Sequence, residues 1–62
     1  MALQARILVA DDNPAMRQVV ERFLESEGYE VIAAANGREA LQLVVREQPD
    51  LILLDVTMPD LD

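Results

Sequence analysis

Cysteine and histidine are both absent from the 62 residues, which leaves no disulfide framework and no thiolate or imidazole ligand; a zinc site would have carboxylates alone. Long apolar runs are absent as well. The stretches Ile7 to Ala10 and Val31 to Ala35 fall far short of the about 20 residues a membrane span requires. Arg6 is followed by a short strand-like run and then by acids, unlike a secretory leader. Basic residues are scarce: five bases against twelve acids give a net charge of -7, which opposes binding to nucleic-acid phosphates or anionic lipid. Cations and basic partner surfaces are the complementary ligands, although acidity of this kind also serves solubility alone. No glycine-rich turn follows the first apolar run, which argues against a nucleotide-binding loop. A soluble chain in a reducing cytoplasm is the expectation. A chain of this length buries only about 60% of its unfolded surface, so its stability should be small.

What is present is an alternation of two hydrophobic periods. Ile7, Leu8, Val9 and Ala10 form a short continuous apolar run, the pattern of a strand buried on both faces of a parallel sheet. Asn13 can cap a helix whose first residue is Pro14, where a fixed φ and a missing N–H are tolerated. Met16, Val19, Val20, Phe23 and Leu24 recur at helical spacing as one apolar stripe, and Gly28 suits the left-handed position after the last turn. A second strand is expected over 29–35. Asn36 and Glu39 then form a capping-box pattern before Ala40, Leu41, Val44 and Val45, which share one face of a second helix over 37–47. Pro49 closes that helix, and Leu51 to Leu54 form a third buried-type strand that delivers Asp55. The expected elements are strands at about 6–10, 29–35 and 51–55 and helices at about 14–27 and 37–47. Strands alternating with helices of this length call for parallel pairing and right-handed crossovers in an α/β fold.

Asp11 and Asp12 follow the first strand and Asp55 ends the third. Ligands of open parallel sheets settle beyond the carboxyl ends of the strands, so the three carboxylates are expected to converge at one rim. Two unit charges about 4 Å apart repel by about 1 kcal/mol in water and about 4 kcal/mol at an effective dielectric of 20. A hard divalent cation such as magnesium relieves that repulsion and can bridge to phosphoryl oxygens. Each acid alone could be a helix cap or a solvated strand end, but Asn13 already fills the cap.

The run Ile7-Leu8-Val9-Ala10-Asp11-Asp12-Asn13-Pro14 with Met16-Arg17, the helix start Asn36-Gly37-Arg38-Glu39-Ala40-Leu41, and Leu51-Ile52-Leu53-Leu54-Asp55-Val56-Thr57-Met58-Pro59 together span almost the whole chain. In combination they resemble the amino-terminal half of bacterial two-component response-regulator receiver domains. The resemblance implies a βαβαβ half of a flavodoxin-like doubly wound sheet, with strand order 2-1-3. It implies that Asp55 is the phosphoacceptor, receiving a phosphoryl group from phosphohistidine on a sensor histidine kinase. Mg2+ would be bound directly by Asp12, through water by Asp11, by a carboxylate oxygen of Asp55 and by the backbone carbonyl of Thr57.

The family also uses a hydroxyl residue after a fourth strand, a lysine after a fifth and an aromatic switch residue, and the 62 residues stop before these positions. The chain is therefore expected to be a truncated receiver, not an enzyme in its own right, which binds Mg2+ weakly or not at all and accepts a phosphoryl group very slowly or not at all. Its third strand should have an open edge, and a symmetric homodimer would complete the sheet. A self-associating fold fragment without signalling activity is the alternative reading. Phosphohydrolases that use a strand-end aspartate are a further class, but their motif places a second acid where this chain has Thr57.

Overall fold

The structure is a computed structural model and describes residues 4–54. Three strands and two helices alternate: β1 Arg6–Ala10, α1 Pro14–Ser26, β2 Glu30–Ala34, α2 Gly37–Glu47 and β3 Leu51–Leu54. The strands form one parallel sheet in the order β2-β1-β3, the order implied by the family resemblance. Register is set on both sides of the central strand, with Leu8 opposite Ile32 and Ile52, and Ala10 opposite Ala34 and Leu54.

Because side chains alternate across a strand, the central strand supplies both sheet faces. Leu8 and Ala10 pack with Ala34, Ala40 and Leu43, with Ile32 and Val44 beside them, so α2 closes this face. The opposite face, with Ile7 and Val9 buried, is covered by α1, which lies over β2 and β1. All four residues of β3 are exposed, from 38% at Leu53 to 52% at Leu51. The expected burial of this strand is thus absent among the described residues, because neither helix extends over it.

Helix ends follow the capping chemistry. The Asn13 side chain accepts from the Ala15 and Met16 amides at 3.0 and 3.2 Å. At the other end of α1, Gly28 N–H donates to the Glu25 carbonyl and Tyr29 N–H to the Leu24 carbonyl. With Gly28 at φ +95°, this is the paired closure that a left-handed glycine permits. In α2, Asn36 accepts from the Glu39 amide, but Glu39 reaches back to the Ala35 amide at 2.7 Å, one residue before the cap. Gln48 ends α2 in the left-handed region at φ 48°.

Both helices are turned relative to their expected faces. In α1 the residues nearest the sheet are Arg17, Val20, Glu21 and Leu24, all partly covered, while Met16, Val19 and Phe23 are exposed. In α2 the inward set is Gly37, Ala40 and Leu43, and Leu41 and Val45 point to solvent. Each apolar stripe is wider than the arc that three strands can cover. The uncovered part of the α1 stripe adjoins Val20, which borders the open groove above β3.

The amino end of the sheet is tied by Arg6. Its guanidinium pairs with Glu30 at 2.8 Å and with Glu47 at 2.7 Å, and it also donates to the Glu47 carbonyl. The Arg6 amide donates to the Asp50 carboxylate, and the Asp50 amide returns a bond to the Arg6 carbonyl, both at 2.8 Å. One residue thereby joins β2, the end of α2 and the approach to β3. Hydrogen bonds donated to Glu30 and then to Glu47 raise the guanidinium pKa above its ordinary value. The guanidinium therefore stays charged, and the pairing intact, throughout the neutral range.

Candidate functional site

The carboxyl rim of the sheet is built around the turn from β1 to α1. Asp11 extends the hold of the sheet one residue past β1, since its amide donates to the Ala34 carbonyl at 3.2 Å. The turn is then closed from within. Oδ1 of Asp11 accepts from the Asn13 amide at 2.9 Å, an Asx turn in which a side-chain oxygen replaces a backbone acceptor. The Asn13 carbonyl in turn accepts from the Arg17 amide at 2.9 Å, the first turn of α1.

A third tie comes from the side chain of Arg17, whose Nη1 donates to the Asp11 carbonyl at 2.8 Å. The guanidinium also faces Glu21 at 3.8 Å, a separation too long for a strong hydrogen bond. Asp11 is half-buried and Asp12 exposed at the apex of the turn. Among the described residues, the single hydrogen bond to the two carboxylates is that from Asn13 to Asp11. A shallow groove of about 230 Å³ runs from this turn across the open sheet face, lined by Val9, Ala10, Asp11, Val20, Leu53 and Leu54.

Two of the four expected ion ligands are therefore described, and they lie side by side at the carboxyl end of β1. Asp55 and the Thr57 carbonyl lie outside the described residues, as does the end of the third strand at 55. Within 4–54 no group of three or more potential ligand side chains occurs. The donor chemistry of the pair fits magnesium: it is all carboxylate oxygen, one Asp11 oxygen is used by the turn, and Asp12 is exposed. Hard cations that retain waters take such sites. The immediate predecessors of Asp11 and Asp55 are neighbours in the sheet, since Ala10 and Leu54 are register partners.

Sequence reading overlooked Arg17. A charged residue on the sheet-facing arc, six positions after Asp11, was the available signal, but its partner is a backbone carbonyl, which no residue pattern encodes.

Comparison with known proteins adds a family-level finding. The family model of the response regulator receiver domain matches residues 7–62. The chain is 48% identical over 60 residues to the response regulator MprA of Mycolicibacterium vanbaalenii, covering 97% of this chain and 26% of that protein. It is 40% identical over 60 residues to the sporulation initiation phosphotransferase F of Bacillus subtilis, covering 97% of this chain and 48% of that protein. Among solved structures, the chemotaxis response regulator CheY4 of Vibrio cholerae superimposes with a TM-score of 0.88 at 44% identity, over 92% of this chain and 48% of that one. The chain thus spans less than half the length of each of these relatives.

Proposed function

The chain belongs to the response regulator receiver domain family, and from that premise we propose that it carries the phosphoacceptor half of a receiver, with Asp55 as the acceptor and Asp11, Asp12, Asp55 and the Thr57 carbonyl as the magnesium ligands. The single observation that carries the reading is the pairing of Ala10 with Leu54, which sets the departure point of β3 next to the acidic turn after β1. The donor would be a phosphohistidine on a sensor histidine kinase, the usual source of phosphoryl groups for receivers.

In the transfer, an Asp55 carboxylate oxygen forms a bond to phosphorus as the P–N bond of phosphohistidine breaks; the electron pair returns to the imidazole nitrogen, which takes up a proton. An anion attacking an anionic group is opposed by charge, and magnesium, when bound, would supply the neutralisation and alignment that such transfers require. The residues of the chain do the rest. Asp11 and Asp12 would provide oxygen ligands, and the Asx turn fixes one Asp11 oxygen while Asp12 stays exposed beside it.

Intact-mass measurement after incubation with magnesium and a small phosphodonor tests this proposal. The expected result is at most one added phosphoryl group, accumulating very slowly, requiring magnesium and absent from Asp55→Asn. An adduct that survives Asp55→Asn, or that forms equally without magnesium, contradicts the proposal.

A second reading concerns self-association and is favoured by the exposure of every β3 side chain together with Met16, Val19 and Phe23 of α1. Apolar strands with open edges are templates for pairing. An isologous dimer at tens of micromolar is the expected result by light scattering, and a monomer at that concentration contradicts this reading.

A further inference from the structure

We infer that Arg17 is a positioning residue for the cation site: by holding the Asp11 carbonyl, its guanidinium fixes the turn that presents the Asp11 and Asp12 carboxylates. The inference rests on the magnesium reading above and adds a role for a side chain that is itself no ligand.

Four observations support it. Arg17 occupies the arc of α1 that faces the sheet, beside Val20 and Leu24, where an apolar residue would ordinarily lie. Its side chain is 22% exposed, so the charged head is held against the protein. Its short contact is with a neutral backbone oxygen at 2.8 Å, whereas its nearest carboxylate, Glu21, is 3.8 Å away. That backbone oxygen belongs to the first of the two adjacent acids.

The consequence follows from peptide planarity. Fixing the Asp11 carbonyl fixes the plane that it shares with the Asp12 amide, and so the direction in which the chain enters Asp12. The Asp11 amide is already anchored to Ala34, and the Asp11 side chain to the Asn13 amide. The guanidinium supplies the remaining anchor, so that Asp11 is held through its amide, side chain and carbonyl. Without it the Asp11–Asp12 peptide can rotate, and the direction in which Asp12 leaves the turn is no longer fixed.

Groups that orient metal ligands from behind typically change affinity by about 10- to 100-fold when removed. The test is magnesium titration by calorimetry on the 62-residue chain, comparing the unmodified protein with Arg17→Leu and Arg17→Lys and monitoring amide hydrogen exchange at Asp12 and Asn13. Arg17→Leu should bind magnesium about 10- to 100-fold more weakly, with faster exchange confined to the turn and an unchanged thermal midpoint without the ion. Arg17→Lys, which retains a charged donor, should recover most of the affinity. Should Arg17→Leu fail to fold, Arg17→Gln replaces it with the same expected order. Affinity in the uncharged variant equal to that of the unmodified chain, or a lysine variant as weak as the uncharged one, overturns the role of Arg17 alone. An unmodified chain that takes up no magnesium overturns this inference and the magnesium reading together.

Discussion

Replacing Leu8 with alanine is expected to remove a large share of the chain's folding stability and shift its unfolding midpoint strongly downward. Leu8 is fully buried, at 0% exposure, in the middle of the central strand, and it packs in the cluster that joins β1, β2 and α2. Truncation of such a side chain removes transfer free energy and leaves a cavity that a sheet cannot collapse, at a cost of about 2–5 kcal/mol. Folded proteins retain about 0.05–0.15 kcal/mol per residue, so a chain of 62 residues has only about 3–9 kcal/mol to lose. Val45→Ala is the matched control: Val45 is 78% exposed on α2, and its truncation should fall within about 0.5 kcal/mol of no effect. Urea unfolding followed by circular dichroism distinguishes the two. A Leu8→Ala chain with an unchanged midpoint contradicts the assignment of β1 as the centre of the core.

Asp12→Ala is expected to act in opposite directions with and without the ion. Without magnesium, removing one of two adjacent acids relieves repulsion of about 1 kcal/mol for charges about 4 Å apart in water, so the variant should melt slightly higher than the unmodified chain. With magnesium the order should reverse. A ligand at about 100 times its dissociation constant stabilises the native state by about 2.7 kcal/mol, and the variant should lose this gain because its exposed carboxylate is the one free of turn contacts. Thermal melts at matched ionic strength, with calcium-free magnesium or with potassium, read the crossing directly. A variant that gains as much from magnesium as the unmodified chain places the ion elsewhere.

Much of the architecture was legible in residue patterns because those patterns act locally. The run Ile7 to Ala10, the Asn13-Pro14 start and the Gly28 stop each satisfy backbone requirements within a few residues. Rotational setting of the helices was less legible. Met16 and Phe23 belong to the same apolar stripe as Val20 and Leu24, yet only the latter two are drawn toward the sheet, because the extent of cover depends on how many strands lie beneath. The same reasoning separates Leu43, buried, from Leu41, exposed.

Long-range ties were not legible at all. Arg6 reads as the polar flank of a strand, but its partners Glu30, Glu47 and Asp50 are brought to it by the β2-β1-β3 order. Arg17 contacts a carbonyl, and every residue has one. At the site itself, the sequence marks Asp11 and Asp12 as a pair, whereas the division of labour between them comes from the Asx turn, which engages Asp11 and leaves Asp12 outward.

Paramagnetic relaxation by manganese, a hard divalent ion that suits the same oxygen ligands, tests most directly whether positions 11, 12 and 55 share one cation. Backbone resonances of Asp11, Asp12 and Asp55 should broaden together at low manganese, be restored by excess magnesium, and leave Arg6 and Asp50 at the opposite rim sharp. Broadening that spares Asp55 while affecting Asp11 and Asp12, or that centres on the Arg6 rim, would contradict a shared site.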